Sequence, residues 1–438
     1  MSKYTREDII RIVDEEDVAF IRLQFCDLFG VPKNIAIPSS GLEKALDNKY
    51  AFDGISVEGF VRNEESDMYL YPDLDSFEIY PWRPQAGKVA RMFCNVYTAD
   101  NRPFSGDPRN VLKQVVEKAK EMGLNFKVNP QPEFFLFDYD DNGQPTTTTK
   151  ERAGYFDVAP LDQGENVRRE IILNLEEMGF DIASSHHEIA AAQHEIQFSG
   201  EEPVRAADMI MTFRMAVKTI AKKHGLYATF MPKPVEGISG SGMHMSFVCA
   251  DENGKNLFTC DDGQLSDTAK QFVAGVLCHV KGMTLITNPI VNSYKRLVPG
   301  YDAPVNISWS SNSANRSALI RISKDLDLNP QIEVRNPDAT CNPYLAIALL
   351  LAAGLDGIEK KMTPPEAVSE KDDNKGMDLD VLPHTLGEAL YSYQTDSFTR
   401  EVLGADVHNK ILEAKKTEWK EFRTCVTKWE IDKYLNNF

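Results

Sequence analysis

Residues 129–138, NPQPEFFLFD, form the stretch on which the interpretation of the chain depends. After the Asn-Pro break, the aromatic-rich run predicts a buried strand. Gln131 and Glu133 are two positions apart, so both side chains point to the same face of that strand. A carboxamide and a carboxylate on one face indicate either a solvated strand start or a site in which Glu133 is a ligand and Gln131 takes the place of a second ligand.

The overall composition describes an ordinary acidic globular protein. The chain has 438 residues, 42% hydrophobic and 26% charged, which predicts at least two domains. A formal net charge of −18 disfavours nucleic acid or an anionic membrane as a partner and is compatible with divalent cations.

The cysteines and the N-terminus indicate a cytoplasmic protein. Seven cysteines are scattered without a CxxC motif, which is typical of reduced thiols. The N-terminus is charged and lacks the apolar core of a signal peptide. The longest apolar run, residues 344–355, is too short to cross a bilayer and predicts a buried helix.

The chain divides where its composition changes. A capping-box-like start at Thr5 predicts a first helix, and residues 18–37 alternate around a Gly-Val-Pro turn, which predicts a hairpin. Asp107, Pro108 and Gly123 suit the two ends of a helix. Helices and strands alternate from there on. We therefore expect an α+β protein with a strand-rich domain over 1–104 and a larger mixed domain over 105–438.

A second acidic cluster lies in residues 184–198, SSHHEIAAAQHEIQF. Glu188 and Glu195 flank a turn of small residues, with His186, His187 and His194 beside them. Carboxylates with a few imidazoles suit Mg²⁺ or Mn²⁺. The alternative is a polar turn with surface histidines.

Further candidates are dispersed along the chain. His244 opens a strand after a glycine-rich stretch, and Glu333 and Arg335 share one strand face. Arginines near Gly/Pro turns can hold carboxylates or phosphates in bidentate geometry; three such residues are Arg296, Arg316 and Arg321. Each signal is weak alone, but together they describe a site for metal, phosphate and a dicarboxylate.

Long motifs then carry a family resemblance over nearly the whole chain. In order, they are FDGISVEGFVRNEESDMYLYPDLDSF (52–77), YFDVAPLDQGENVRREI (155–171), SSHHEIAAAQHEIQF (184–198), FMPKPVEGISGSGMH (230–244), NSYKRLVPGYDAPVNISW (292–309), NRSALIRI (315–322) and EVRNPDATCNPYLA (333–346). The sequence resembles the type I glutamine synthetases of bacteria and archaea, and most of all their short Gram-positive subtype.

The resemblance implies a fold, an assembly and a reaction. The fold would be an N-terminal β-grasp domain and a C-terminal catalytic domain with an antiparallel sheet and flanking helices. The assembly would be a dodecamer of two hexameric rings with active sites between neighbouring subunits. ATP would phosphorylate the γ-carboxylate of glutamate, and ammonia would displace the phosphate, with two Mg²⁺ or Mn²⁺ ions neutralising charge.

The resemblance also assigns residues position by position. The first metal would be held by Glu133, Glu188 and Glu195, and the second by Gln131, His244 and Glu333. Glutamate would contact Ser239, Gly240, Arg296 and Arg335, and ATP would contact Ser246, Val248, Arg316 and Arg321. Asp53 of a neighbouring subunit, Asp302 of a flap and Arg316 would serve catalysis, and Arg62 would serve glutamine feedback.

Six positions depart from the family pattern. They are Gln131 for Glu, Ser239 for Asn, Asp302 for Glu, Ala183 for Glu, Gln331 for Arg and Ile55 for Ser. Gln131 is expected to weaken the second metal site. Three functions stay open at this point: a glutamine synthetase, a γ-glutamyl ligase that uses a primary amine, and a weak or inactive paralogue with a regulatory role.

Overall fold

A computed structural model describes residues 3–59, 67–260, 263–311, 315–324, 329–369 and 379–437. Within these ranges, no helix is long and apolar enough to cross a membrane. Arg62, the predicted feedback residue, lies outside the described residues.

The N-terminal part of the chain forms one mixed sheet with two helices. Its elements are α1 (Arg6–Glu15), β1 (Val18–Cys26), β2 (Pro32–Pro38), α2 (Leu42–Leu46), β3 (Tyr50–Asp53), β4 (Asp67–Pro72), β5 (Glu78–Ile79) and β6 (Lys88–Thr98). The capping box at Thr5 and the β1–β2 hairpin are as predicted. The strand order is β2-β1-β6-β4-β3, with β1 and β6 parallel, and β5 pairs with β6. Ile21, Leu70 and Met92 lie in a separate small core.

Helix α3 (Pro108–Glu121) leads into the second part of the chain. The Asp107 side chain accepts a hydrogen bond from the Arg109 N–H, and Pro108 occupies the first turn, where its missing N–H costs nothing. Gly123 follows the helix with a φ of +74°, a left-handed conformation that glycine adopts without strain. Both ends of the helix are as predicted.

A larger sheet provides the platform for the candidate site. Its strands are β7 (Asn125–Asp138), β8 (Ile182–His187), β9 (Gln193–Phe198), β10 (Leu226–Thr229), β11 (Met243–Ala250), β12 (Asn306–Ser310), β13 (Ala318–Lys324) and β14 (Pro330–Val334). Their order is β12-β13-β14-β11-β7-β9-β8, and β10 pairs with the outer part of β7. All neighbours are antiparallel except β12 and β13, which are parallel.

Helices pack around this sheet. They are α4 (Glu165–Glu177), α5 (Pro203–Lys223), α6 (Asp267–Thr287), α7 (Ser293–Arg296), α8 (Pro343–Glu359), α9 (Leu386–Thr395), α10 (Ser397–Leu403), α11 (Ala405–Thr424) and α12 (Lys428–Tyr434). The apolar run at 344–355 is the centre of α8, which is buried as predicted. The large core lies between the helices and one face of the sheet. The other face carries a small apolar cluster of Phe135, Phe137, Ala190 and Ala192 beside its polar residues.

Candidate active site

The registers of the central strands place the predicted metal ligands on one face of the sheet. Glu133 lies directly opposite Glu195 across β7 and β9, and Gln131 lies opposite His244 across β7 and β11. Ser246, two residues after His244, lies opposite Glu333 on β14. Residues opposite each other share a face, as do residues two apart on one strand. Acids from distant segments therefore converge.

The first group of carboxylates is buried and crowded. Glu133 and Glu195 are 8% and 7% exposed, and Glu188 follows β8 beside them. Burial, then the nearby Glu188 charge, raises the pKa of Glu133 to about 8. Burial, then the charges of Glu133 and Glu188, raises the pKa of Glu195 well above its ordinary value.

Two of these carboxylates, Glu188 and Glu195, form with His186 a group that fits a hard divalent cation. Ligand atoms of His186, Glu188 and Glu195 lie within 4.8 Å of one another, and His186 Nε2 is 2.8 Å from Glu188 Oε1. Several carboxylates held together out of water repel each other unless a cation or a proton neutralises them. Their oxygen donors suit Mg²⁺ or Mn²⁺.

The second group has only one carboxylate. His244 Nδ1 is 3.1 Å from Glu333 Oε1, and Arg321 binds both oxygens of Glu333 at 3.1 and 2.7 Å. Burial lowers the pKa of His244 to about 4, so the imidazole is neutral and suited to metal ligation. Burial alone would raise the pKa of Glu333, but His244 and Arg321 outweigh it and lower that pKa. Gln131 adds an amide oxygen to this group but no negative charge.

Two buried arginines border these groups. Arg296 donates to the carbonyls of Asn336 at 2.8 Å and Arg335 at 3.0 Å, and Arg335 donates to the carbonyl of Asp302 at 2.8 Å. Burial, then the neighbouring Arg321, lowers the pKa of Arg335 to about 9. The low pKa reflects positive charges gathered out of water, an environment that favours a bound anion.

Glycines let the loop before β11 approach these groups. A Cβ on Gly242 would lie 2.4 Å from Arg296 Nη2, and one on Gly240 would lie 2.2 Å from the Pro232 carbonyl oxygen. The Gly242 N–H also donates to Glu133 Oε2 at 3.1 Å. The glycine-rich stretch therefore serves close backbone approach. Ser239 is half-buried beside Gly240.

The remaining predicted residues occupy distinct places. Asp302 has a φ of +56° and its carboxylate lies 2.5 Å from Arg316 Nη1. Ser246 is fully buried, and half-buried Val248 lies farther along β11. Asp53 is exposed in the N-terminal sheet and accepts a hydrogen bond from the Ile55 N–H at 3.0 Å.

Two further positions that depart from the family pattern lie on strands of the larger sheet. Ala183 is half-buried on β8. Gln331 is buried on β14, and its Oε1 atom has no hydrogen-bond partner among the described residues.

The three clustered histidines separate into two environments. His186 faces the first carboxylate group, whereas His187 and His194 lie on the opposite side of their strands, where they are fully buried with Glu151. His187 Nε2 forms an ion pair with Glu151, and His187 Nδ1 lies 2.7 Å from the Glu188 carbonyl oxygen. Only one of the three histidines therefore belongs to the candidate metal site.

The buried group of Glu151, His187 and His194 does not suit a metal ion. Arg168 Nη1 lies 2.9 Å from His194 Nδ1, so that nitrogen accepts and Nε2 carries the proton. His194 Nε2 also packs against Gly164, whose added Cβ would lie 2.5 Å away. The group is a buried ion-pair network that supports the strands carrying Glu188 and Glu195.

Sequence reasoning missed one residue that contacts the site directly and one that pairs with a histidine on the opposite side of the strands. Gln193 donates to Glu133 Oε2 at 2.8 Å; its signal was its position two residues before Glu195 on one strand. Glu151 contacts His187 across 36 residues of sequence, and no local pattern marks it.

Comparisons with known proteins identify the family to which this fold and site belong. Residues 17–99 match the family described as glutamine synthetase, beta-Grasp domain, and residues 105–434 match glutamine synthetase, catalytic domain. The glutamine synthetase of Clostridium saccharobutylicum is 51% identical over 446 residues, covering 100% of both chains. That of Staphylococcus epidermidis is 49% identical and covers 99% of both.

The chain belongs to the glutamine synthetase family. Among solved structures, a GmaS/ADP complex is 30% identical with a TM-score of 0.89, covering 98% of this chain and 99% of that one. Plasmodium falciparum glutamine synthetase, 22% identical with a TM-score of 0.87 and 99% coverage of both chains, shares the fold. The predicted family, fold class and glutamate–ammonia ligase function are confirmed, and the amine-acceptor and inactive alternatives are not favoured.

Proposed function

We propose that this chain joins ammonia to the γ-carboxylate of glutamate through γ-glutamyl phosphate, on the sheet face described above. One observation supports this assignment of the site: Glu133 and Glu195 lie opposite each other on β7 and β9, with Glu188 beside them. His244, Glu333 and Arg321 lie next to this group on the same sheet. Such a face supplies anionic ligands on one side and cationic groups for phosphate on the other.

Two divalent cations fit the donor sets. Glu133, Glu188 and Glu195 would hold one Mg²⁺ or Mn²⁺, and Gln131, His244 and Glu333 would hold a second, more weakly. When bound, these ions neutralise charge on the transferring phosphoryl group. The single carboxylate of the second group, already paired with Arg321, supports the weaker affinity.

The arginines would orient the substrates. Arg296 and Arg335, with Ser239 and the Gly240 backbone, would bind glutamate, because a buried cation binds a carboxylate strongly. Arg316 and Arg321 would contact the phosphates of ATP, whose remaining contacts would include Ser246 and Val248. Asp302 would close over the intermediate from its paired position with Arg316.

The assembly completes the site in this proposal. Asp53 is exposed on the N-terminal sheet and would deprotonate ammonium in the site of a neighbouring subunit. Arg62 would serve glutamine feedback. The proposal also includes a dodecamer of two hexameric rings and a cytoplasmic location. Its two domains would be residues 1–104 and 105–438.

The test measures phosphate and amide product from ATP, glutamate and Mg²⁺ or Mn²⁺, with ammonia or a panel of primary amines as acceptor. We expect the highest kcat/KM with ammonia. Glu195→Gln should abolish turnover, whereas Glu176→Gln on the exposed surface of α4 should not. Turnover only with an alkylamine, or nucleotide binding without any turnover, would overturn the proposal.

A further inference from the structure

We propose that Gln193 is a positioning residue that holds the first metal-binding group and the glutamate-binding loop in one fixed arrangement. The inference rests on the proposed function, since it takes Glu133 as a metal ligand and Gly240 as part of the glutamate site. Gln193 is 1% exposed at the start of β9 and is not itself a ligand in that proposal.

The side-chain amide of Gln193 joins the two sites directly. Its Nε2 atom donates to Glu133 Oε2 at 2.8 Å and to the Gly240 carbonyl oxygen at 3.0 Å. Ser241 Oγ also lies 3.4 Å from Nε2, but the two shorter contacts take the two hydrogens of the amide nitrogen. A shift of either partner is therefore transmitted to the other.

The other half of the amide fixes its orientation. Gln193 Oε1 accepts a hydrogen bond from the Ala190 N–H at 3.3 Å, inside the turn between β8 and β9. The partners leave one assignment of oxygen and nitrogen, because a carboxylate and a carbonyl require a donor and an N–H requires an acceptor. The Gln193 main chain also accepts from the Glu188 N–H at 2.8 Å, so the same residue holds a second predicted ligand.

A neutral donor is the chemistry that Glu133 requires here. Glu133 Oε2 receives Gln193 Nε2 and the Gly242 N–H, which leaves Oε1 for a cation. Groups that hydrogen-bond to metal ligands orient them, and their loss typically weakens metal affinity by roughly 10- to 100-fold. A lysine or arginine in this place would compete with the metal for the same carboxylate.

The test compares Gln193→Met, which keeps the length and removes the hydrogen bonds, with Gln193→Glu, which keeps the shape and replaces the donor with an acceptor. Gln197→Ala is the matched control, because Gln197 lies on the same strand and its side-chain oxygen accepts a hydrogen bond from Ser184 Oγ at 3.2 Å. Mn²⁺ affinity is measured by direct titration of the full chain, and KM for glutamate and for ATP are measured at saturating metal. Circular dichroism checks that each variant is folded.

We expect both Gln193 variants to weaken Mn²⁺ binding at the tighter site by about tenfold or more. KM for glutamate should rise severalfold while KM for ATP stays within about twofold, since a merely structural defect would not separate the two substrates. A change in only one of the two sites, or in neither, would overturn the inference. The metal titration does not depend on turnover, so failure of the wild-type chain to make glutamine would count against the proposed function alone.

Discussion

Gln131 and His244 lie directly opposite each other on β7 and β11, and His244 contacts Glu333 at 3.1 Å. These three side chains provide one carboxylate, one imidazole and one amide for the proposed second metal site. Arg321 binds both oxygens of that single carboxylate. The charge available to a second cation is therefore small, and we expect the metal affinity of this proposed site to depend on the residue at position 131.

Replacing Gln131 by glutamate is expected to strengthen this site. The added carboxylate supplies a charged ligand of nearly the same shape, so the Mg²⁺ or Mn²⁺ concentration that gives half-maximal activity should fall about tenfold, which corresponds to about 1.4 kcal/mol. Activity is measured against free metal, and the second binding event is measured by titration with Mn²⁺.

Gln197→Glu is the control for this prediction, because it adds the same charge to the other end of β9, beside Ser184. The control should leave the metal dependence unchanged. If Gln131→Glu also leaves it unchanged, Gln131 is not at a metal site.

Metal binding to the first group is expected to release protons. The pKa of Glu133 is about 8 and that of Glu195 is also raised, so at pH 7 the metal-free cluster retains at least one proton. A metal binds the ionised carboxylates, and apparent affinity should therefore rise as pH increases from 6 to 8. Calorimetric titration at pH 7 in buffers of different ionisation enthalpy measures the number of protons released.

The same cluster makes a prediction for the metal-free protein. Carboxyls whose pKa is raised by folding keep their protons in the folded protein above pH 4.5, whereas the same carboxyls lose them in the unfolded chain. The free energy of unfolding should therefore fall as pH rises from about 5 toward 8. Glu195→Gln should flatten this slope and release fewer protons on metal binding. Binding heats that do not depend on the buffer would contradict the assignment.

The sequence could predict local parts of the site but not its assembly. The spacing of Gln131 and Glu133 in an apolar strand predicts that they share a face, and in the structure both residues lie on β7, two positions apart. The strand order that brings β14, β11, β7 and β9 together depends on packing between segments far apart in the chain, which no local spacing encodes. Only the family resemblance supplied that grouping before the structure.

The environments of the histidines show the same difference. Alternation along β8 separates His186 from His187, so the strand period could have predicted that only one of them reaches the carboxylates. The partner of His187 could not be predicted, because Glu151 lies in an irregular segment 36 residues earlier.

The buried Glu151–His187 ion pair is expected to stabilise the fold within a limited pH range. Burial would lower the pKa of His187, but Glu151 outweighs it and raises that pKa above 6.5. The pair likewise lowers the pKa of Glu151 below 4.5, against the effect of burial. The stabilisation by charged His187 is present below its unfolded pKa and is lost as pH rises through the folded pKa.

Glu151→Gln should therefore cost about 3 kcal/mol of unfolding free energy near pH 6 and less near pH 9. Urea unfolding at both pH values measures the difference. Glu170→Gln is the control, since Glu170 pairs with His224 on the surface. An equal loss for Glu151→Gln at both pH values would show that packing, and not the ion pair, carries the effect.

Asp302 and Arg316 provide a test of the flap. The Asp302 carboxylate lies 2.5 Å from Arg316 at a residue with a φ of +56°, a conformation that asparagine also tolerates. Asp302→Asn therefore removes the charge without adding backbone strain. Because the pair is largely exposed, the change in stability should stay below about 1 kcal/mol.

If Asp302 closes over the intermediate, Asp302→Asn should lower kcat by about tenfold or more while Mn²⁺ affinity is unchanged, because the carboxylate acts after the metals are bound. Asp380→Asn, which removes the exposed partner of Lys281, is the matched control and should leave kcat at the wild-type value. Steady-state kinetics with saturating ammonia measure both variants. A wild-type kcat for Asp302→Asn would mean that the Asp302–Arg316 pair only tethers the loop, and a parallel loss of metal affinity would place Asp302 with the metal ligands instead of the flap.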